Sequence, residues 1–223
     1  MITSPKPDAL KVALPKGNLM GDLSRYMGRV GFVVPGYDER NRVYRLASER
    51  PRGAFVKVFS EKDIPIQVAV GNYDIGIAGN DWITEHTIKY SKIAIVRVID
   101  LGFGSESLFA AASPGITLDS LKEESMSRPI RLVSEYPNIA EHFAAYARFF
   151  RYRVFPIWGA AEAYVPEFAD IIVIRGGTKE EIASGGFSVI SEIMRSEATV
   201  IAHRASFETR DLSSILDVLG GGA

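Results

Sequence analysis

The chain has 223 residues, of which 47% are hydrophobic and 24% are charged, and its formal net charge is −1. This composition is typical of a globular protein with one large or two small domains. It gives no reason to expect nucleic acid or a membrane surface as a partner, although a local basic patch is compatible with a neutral whole. The absence of cysteine excludes disulfides, thiolate metal sites and a cysteine nucleophile. No apolar run has the length of a signal-peptide core or a membrane span, so we expect a cytoplasmic protein.

Strand and helix patterns alternate along the first hundred residues. An apolar run at 9–15 predicts a buried strand, and after it Leu19, Leu23, Met27 and Val30 recur at helical spacing. The elements predicted next are two strands around a Pro/Gly turn (42–59), a helix started by Pro65 (within 61–73), a strand, a glycine turn and a helix (74–86), and a further strand (93–102).

The alternation continues through the second half of the chain. The predicted elements are a strand (106–113), a helix capped by Thr117 or Asp119 (117–124), a strand and loop (129–138), an amphipathic helix (139–150), a strand (152–159), a short helix and strand (161–174), two short strands or a strand and turn (185–206) and a terminal helix (210–219).

This alternation indicates an α/β fold with two lobes, each a mainly parallel sheet with flanking helices. We assign residues 1–100 and 189–223 to lobe I and residues 101–188 to lobe II. A cleft between the lobes is the default place for a ligand.

Three glycine turns each follow an apolar strand: "LPKGN", "IAGND" and "IRGGT". Ligands of open α/β sheets bind at the carboxyl ends of strands, where such turns expose backbone N–H groups, so three of them favour an anionic ligand. Lys16 in the first turn can supply a cation beside a phosphate, or it can be a solvated lysine at a loop tip. Asp81 can accept hydrogen bonds from a ligand, and Asp81 or Asn80 can cap the following helix.

The third turn, in "VIRGGTKEEI", combines the pattern of a phosphate-binding turn with unsuitable charges. A β-rich run enters a Gly-Gly-Thr bend, but Glu180 and Glu181 follow directly, and two carboxylates at a helix start repel a phosphate there. Thr178 and Glu181 also have the spacing of a capping box, which needs no ligand.

Several motifs together resemble one family. "ALPKGNL", "DIP" followed by "VGNYDIGIAGND", "DLGFG" and above all "EYPNIAEHF" look like ATP phosphoribosyltransferase, and their order and spacing match from about Leu10 to Ser206. "ADIIV" and "VIAHRAS" also fit the family's pattern. Because the chain ends soon after "HRAS", it resembles the short form, a catalytic subunit that lacks the C-terminal regulatory domain.

The resemblance implies lobes like those of a periplasmic binding protein, with ATP and phosphoribosyl pyrophosphate in the cleft. In the implied reaction, the first step of histidine biosynthesis, N1 of the adenine ring attaches to the ribose anomeric carbon. Pyrophosphate leaves with Mg²⁺ on the diphosphate. The implied work of the protein is to hold the two substrates in line and to offset charge on the leaving group. The implied partners are a subunit similar to histidyl-tRNA synthetase and further copies of the chain.

The resemblance and the glycine turns nominate substrate-binding positions but no catalytic residue. His86, His142 and His203 lack metal-ligand spacing, so no protein metal ligand is assigned. The nominated positions are Lys16, Gly17, Gly79, Asp81, Tyr136, Asn138, Glu162, Asp170, Arg175, Gly176, Gly177 and Thr178.

Three positions depart from the family's pattern. Ser60 and Ser107 stand where family members usually carry arginine, and the third turn replaces the Glu/Ser-Thr-Gly-x-Thr sequence that holds the 5′-phosphate in the family. Arg175 in the turn can compensate, as can the upstream arginines at positions 42, 45, 50 and 52. The departures leave an alternative open: a catalytically impaired or repurposed member that binds a ligand or regulates another protein.

Overall fold

The computed structural model describes residues 8–40, 42–90 and 92–221. The described residues divide into two compact units: unit 1 draws on those within 8–86, 90–104 and 197–221, and unit 2 on residues 87–89 and 105–196. Within these described ranges, no helix combines the length and hydropathy needed to cross a bilayer.

Eleven strands and eight α-helices are found in the described residues. The strands are β1 (Lys11–Lys16), β2 (Arg45–Ala47), β3 (Phe55–Ser60), β4 (Ile75–Gly79), β5 (Ile95–Asp100), β6 (Glu106–Ala112), β7 (Ile130–Ser134), β8 (Tyr152–Pro156), β9 (Ile171–Gly176), β10 (Ser188–Ser196) and β11 (Ala198–His203). The helices are α1 (Asn18–Val30), α2 (Ile64–Ala69), α3 (Asn80–Lys89), α4 (Leu118–Ser125), α5 (Pro137–Tyr146), α6 (Lys179–Ser184), α7 (Arg204–Thr209) and α8 (Ser213–Gly220).

Unit 1 is built on a mixed sheet of order β2-β3-β1-β4-β11-β5. The three strands β3, β1 and β4 are parallel, so their carboxyl ends meet at one edge, whereas β2 and β11 run antiparallel to their neighbours. Strand β4 is buried throughout, as expected for a strand covered on both faces. At Gly76 an added Cβ would lie 2.7 Å from side-chain carbons of Ile64 and Val68, so the glycine lets α2 pack closely on the sheet.

Apolar cores cover both faces of this sheet, as strand alternation requires. One contains Leu14 and Val56 and includes the buried side of α1, with Leu19, Leu23 and Met27. The other contains Ala13 together with residues of α2 and β11. The helical spacing predicted for α1 is therefore confirmed, and Gly31 ends this helix in the left-handed region with φ of 82°.

Unit 2 is built on a second mixed sheet of order β10-β6-β9-β7-β8. The strands β9, β7 and β8 are parallel, and β6 runs antiparallel to both of its neighbours. Its core includes Leu132, Phe143 and Ile171, from β7, α5 and β9. Thr117 caps α4 with its side chain, which was one of the two predicted caps.

The α/β architecture with two lobes is confirmed, with two differences in detail. Both sheets are mixed, because antiparallel β6 and β11 stand among strands that were expected to be mainly parallel. The predicted boundaries at residues 100 and 189 also differ from those of the two units. Seven of the nine residues of β10 have register partners on β6 and thereby join the strand to unit 2, so the chain returns to unit 1 at Glu197.

The carboxyl-terminal segment of unit 1 is held by a buried carboxylate. Asp74 accepts hydrogen bonds from the backbone N–H of Lys11 at 2.8 Å, from Ser206 Oγ at 2.7 Å and from the Arg210 guanidinium at 2.7 Å. These bonds satisfy a charge that would be costly to bury unpaired, and they fix α7 beside β1. Helix α7 was not predicted from the sequence.

Candidate functional site

The turn between β1 and α1 is open to solvent. Gly17 has φ of 96° and ψ of −146°, a conformation that favours glycine, and apart from its chain neighbours no atom of the described residues lies within 4 Å of where a Cβ would stand. Within the part of the chain that the structure describes, no side chain caps α1, and its first turn contains no acidic residue. Lys16 is exposed, with its Nζ 5.5 Å from the centre of the Tyr44 ring. The first N–H groups of α1, the dipole of a 13-residue helix and a lysine therefore meet at one accessible point.

The neighbouring strand ends of unit 1 bring other predicted residues to the same edge. Ser60 lies opposite Lys16 in the β1–β3 register, and β4 ends at Gly79. The Gly79 N–H donates to Glu61 Oε1 at 2.9 Å, so a protein carboxylate already occupies this amide. Asp81 is fully buried in the first turn of α3.

The predicted cap of α3 is wrong. The N-cap residue is Gly79, and no side chain caps the helix. Asn80 lies within α3, where its Oδ1 accepts hydrogen bonds from Arg97 Nη1 at 2.5 Å and from Thr84 Oγ1 at 3.4 Å. This pairing with β5 uses the side chain that was expected to cap the helix.

The parallel strands of unit 2 also bring their carboxyl ends together. Ser134 Oγ donates to the Val173 carbonyl at 2.8 Å and accepts from the Tyr136 N–H at 2.9 Å, which ties the end of β7 to β9. Glu135 Oε1 accepts from the Gly159 N–H at 2.7 Å, which ties it to the loop after β8. Tyr136 is buried at the N-cap of α5, and Asn138 is half-buried in the first turn of that helix.

Two further predicted residues lie at different places in unit 2. Glu162 is exposed in a 3-10 turn, Ala161–Tyr164, that contacts β7 and β9. Asp170 directly precedes β9, at the opposite end of this strand from the glycine turn. Six strand residues separate the two, roughly 20 Å at the usual rise per residue.

Asp170 has a structural explanation. Its carboxylate accepts hydrogen bonds from Arg128 Nη1 at 2.8 Å, from Arg131 Nη2 at 3.0 Å and from the Arg131 N–H at 2.8 Å. Burial raises the pKa of the Asp170 carboxyl, but these hydrogen bonds outweigh burial and hold the pKa well below its usual range. The carboxylate links β7, β9 and the loop before β7. The structure therefore does not bring Asp170 to the end of β9 where the other predicted residues of this strand lie.

In the turn between β9 and α6, side chains of the turn and of the helix itself accept hydrogen bonds from the backbone N–H groups. Thr178 Oγ1 accepts from the Glu181 N–H at 3.1 Å, and Glu181 Oε2 accepts from the Gly177 N–H at 2.8 Å. The predicted capping interaction between Thr178 and Glu181 is thus confirmed, with the carboxylate bound one residue before the cap. Gly176 is buried, and an added Cβ would lie 2.6 Å from Ile182 Cδ1.

The basic side chains around this turn are already paired with carboxylates of unit 2. Arg175 Nη1 lies 3.2 Å from Glu106 Oε2, and Lys179 Nζ lies 3.9 Å from Glu192 Oε2. Ser107 Oγ donates to Glu192 Oε1 at 3.0 Å. Hydrogen bonds from Ser107 and then from Arg195 lower the pKa of the Glu192 carboxyl. The hydroxyl of Ser107 is therefore hydrogen-bonded to the Glu192 carboxylate within unit 2.

Comparison with known proteins assigns a family to this arrangement. The family model described as HisG, ATP phosphoribosyltransferase, matches residues 60–221. The chain belongs to this family. Two curated relatives named ATP phosphoribosyltransferase are those of Citrifermentans bemidjiense, 27% identical over 96% of this chain and 98% of that protein, and of Oceanobacillus iheyensis, 29% identical over 93% and 95%.

Solved structures support the fold of this ATP phosphoribosyltransferase family member. A structure described as the ATP phosphoribosyl transferase (HisG:HisZ) complex from Thermotoga maritima has a TM-score of 0.74 at 19% identity, over 96% of this chain and 98% of that one. An ancestral amino-acid-binding protein has a TM-score of 0.53 at 13% identity, over 96% and 89%. The predicted likeness to periplasmic binding proteins is confirmed at the level of the fold, and the substrate-binding role of each nominated residue stays a prediction.

Two acidic residues that hold glycine amides were missed in the sequence. Glu61 and Glu135 occupy the N–H groups of Gly79 and Gly159, and Glu61 lies two residues before the "DIP" motif. Position next to a family motif was the available signal for Glu61. The partner glycines are 18 and 24 residues away, and only the parallel strand order brings them near.

Proposed function

We propose that the protein is an ATP phosphoribosyltransferase, which transfers the phosphoribosyl group of phosphoribosyl pyrophosphate to N1 of ATP in the first step of histidine biosynthesis. The observation that carries this proposal is the family match over residues 60–221, together with relatives of that name that align over nearly their whole length. Two mixed α/β units, each with glycine turns at the carboxyl ends of parallel strands, support it further.

The open turn at the start of α1 is the part of this protein best suited to a substrate phosphate. The uncapped N–H groups and the exposed Lys16 attract an anion, and no carboxylate of the first helical turn opposes it. In the proposed role, Lys16 and the amides that follow Gly17 hold a phosphate of one substrate. Tyr136, Asn138 and Glu162 orient the substrates from the carboxyl ends of the strands of unit 2.

The proposed reaction needs no covalent bond between the protein and a substrate. Adenine N1 forms a bond to the ribose anomeric carbon while the bond from that carbon to the pyrophosphate oxygen breaks, and the electron pair leaves with pyrophosphate. Holding the reacting atoms in line and offsetting the charge of the leaving group supply the rate enhancement. We propose that Mg²⁺ arrives on the diphosphate, as part of the substrate.

We also propose that the protein is a cytoplasmic, homo-oligomeric catalytic subunit that works with a partner similar to histidyl-tRNA synthetase. The support for the partner is the Thermotoga maritima structure, which is described as a complex of HisG with HisZ.

A second candidate function rests on the turn before α6. The Glu181 carboxylate holds the Gly177 amide, and Arg175 and Lys179 face Glu106 and Glu192. A charge-assisted hydrogen bond to phosphate is worth roughly 1.5–3 kcal/mol, so several missing bonds would weaken donor binding by orders of magnitude. This supports a member that binds a nucleotide or another ligand but transfers phosphoribosyl groups poorly or not at all.

A product assay separates the two candidates. The purified chain is mixed with ATP, phosphoribosyl pyrophosphate and Mg²⁺, with and without the proposed partner subunit, and phosphoribosyl-ATP is measured by mass spectrometry with pyrophosphatase present. Product formation supports the transferase. Absence of product in both mixtures, together with no calorimetric heat from phosphoribosyl pyrophosphate, overturns it, and heat from ATP alone then favours the second candidate.

A further inference from the structure

The β2–β3 hairpin of unit 1 carries an unusual excess of positive charge. Residues 42–59 contain five basic residues against one acidic residue, a net charge of +4 (five minus one), in a chain whose formal net charge is −1. Among the described residues, none of the five makes an ion pair. The five are Arg42, Arg45, Arg50, Arg52 and Lys57.

Two of these cations face each other directly. Arg45 and Lys57 are partners in the antiparallel register of β2 and β3, so their side chains leave the same face of the sheet. Like charges directly opposite each other destabilise a strand pair. Such a pair without an acidic partner indicates that the two cations together serve an anion supplied from outside the chain.

An aromatic ring lies beside one cation of this pair. Lys57 Nζ lies 4.8 Å from the centre of the Phe59 ring, and Phe59 meets Tyr73 edge to face with ring centres 5.1 Å apart. Burial raises the pKa of the Tyr73 phenol, and the charge of Arg45 acts in the opposite direction. Lys57 therefore lies against the Phe59 ring, on the face of the sheet that it shares with its register partner Arg45.

This pair of cations is separate from the turn at the start of α1. Lys16 is the register partner of Ser60, and Ser60 lies three residues after Lys57 on the same strand. Because successive side chains of a strand alternate between faces, Lys57 points to the face opposite that of Ser60.

We propose that Arg45 and Lys57 form a second anion site, which binds a compact anion carrying one or two phosphate groups. A guanidinium can hold two oxygens of one phosphate, and the lysine ammonium supplies a point charge beside it. An anion between them replaces repulsion with two attractions. A compact anion suits the site better than nucleic acid, because the basic residues form one local patch on a chain without net positive charge.

Calorimetric titration with inorganic pyrophosphate and inorganic phosphate tests this site. The experiment uses the full chain in a Lys16→Met background, so that the α1 turn contributes little. We expect pyrophosphate to bind, and its affinity to fall at least tenfold in Lys57→Met and in Arg45→Gln. The matched control is Arg52→Gln, which removes an exposed arginine of the same hairpin and should stay within twofold.

Thermal unfolding without ligand supplies an independent readout. Removal of one of two facing cations should leave Lys57→Met at least as stable as its parent, while pyrophosphate should no longer raise its Tm. Absence of binding in the parent, or equal affinity in the parent and in both pair variants, overturns the proposal. A fall in pyrophosphate affinity for Arg52→Gln as large as that for Lys57→Met and Arg45→Gln also overturns the proposal, because the anion would then respond only to the net charge of the hairpin. None of these outcomes depends on transferase activity.

Discussion

The turns that precede α1 and α6 have the same order of strand, glycine and helix, but they differ in whether side chains bind their backbone N–H groups. Each follows a parallel strand and passes through glycine into a helix. At the start of α1, no described side chain caps the helix, and apart from its chain neighbours no described atom lies within 4 Å of a Cβ added at Gly17. At the start of α6 the Thr178 hydroxyl and the Glu181 carboxylate use the hydrogen-bonding groups that an incoming anion would need.

The third residue of each helix accounts for this difference. In α1 this residue is Met20, a buried side chain that packs into the core of unit 1. In α6 it is Glu181, whose carboxylate reaches back to the Gly177 N–H. A strand–glycine–helix pattern is therefore insufficient evidence of an anion site, since one acidic residue at the third helical position can satisfy the same amides from within.

The largest expected effect concerns Asp170, which directly precedes β9 and lies at the opposite end of this strand from the glycine turn. Asp170→Asn should lower the free energy of unfolding by about 3 kcal/mol, because it leaves Arg128 and Arg131 without their shared carboxylate. In the folded wild type, the pKa of the Asp170 carboxyl is lowered. The stabilisation is therefore present above the unfolded-state pKa of about 4 and is lost as pH falls toward the folded-state pKa. Urea denaturation at pH 7 and pH 3 should therefore show a smaller difference in stability between the variant and the wild type at the lower pH.

The control for this variant is Asp119→Asn, which removes an exposed carboxylate 3.8 Å from Lys122 Nζ and should change stability by less than about 0.5 kcal/mol. A loss for Asp170→Asn below about 1 kcal/mol would contradict its structural role. A loss of substrate affinity without a loss of stability would show that Asp170 belongs to the binding site.

The next effect concerns the open turn. Lys16→Met should weaken binding of the phosphorylated substrate at the start of α1 by about 2 kcal/mol, roughly thirtyfold in Kd, because one charge-assisted contact is lost. Calorimetry with ATP and with phosphoribosyl pyrophosphate identifies which substrate is affected. Lys122→Met, on the surface of α4, should leave both affinities unchanged, and equal affinities in wild type and Lys16→Met would contradict the proposed role.

Substitution of Gly17 and of Gly177 by alanine compares the turns before α1 and α6 directly. Gly17→Ala should cost about 2 kcal/mol of unfolding free energy, because the backbone there has φ of 96° and a Cβ strains it. Gly177→Ala should cost less than about 0.5 kcal/mol, since the only close atom is the mobile end of Glu181, 2.9 Å from the added Cβ. Equal losses, measured by urea denaturation, would mean that the α6 turn is held as tightly as the α1 turn.

Local patterns in the sequence predicted most elements but not their pairing. Helical spacing in α1 and the capping pair of Thr178 and Glu181 depend on residues within one or two turns, and both are confirmed. The assignment of β10 to unit 2 depends on its pairing with β6, about 80 residues earlier in the chain, which no local pattern encodes.

The candidate site was predictable to a similar extent. Lys16 and Gly17 lie in an accessible turn because strand, glycine and helix are adjacent in sequence. Asp170 was assigned to substrate, but two arginines 42 and 39 residues earlier pair with it. Glu61 was not assigned, although it holds the Gly79 amide across 18 residues. Long-range pairing of charges decides which acids are available to a ligand, and a single sequence does not encode that pairing locally.

The smallest expected effect tests the cause of the difference between the turns. If Glu181 closes the α6 turn, Glu181→Gln should strengthen binding of phosphoribosyl pyrophosphate about tenfold, because a neutral amide no longer repels the anion and competes less well for the Gly177 N–H. The free energy of unfolding should fall by about 0.5–1 kcal/mol, as the capping interaction weakens. Glu180→Gln is the matched control: it removes the same charge one residue away and should change affinity less than threefold. Equal gains in the two variants would assign the effect to net charge, and no gain in either would show that the Glu181 carboxylate does not limit access of phosphate to this turn.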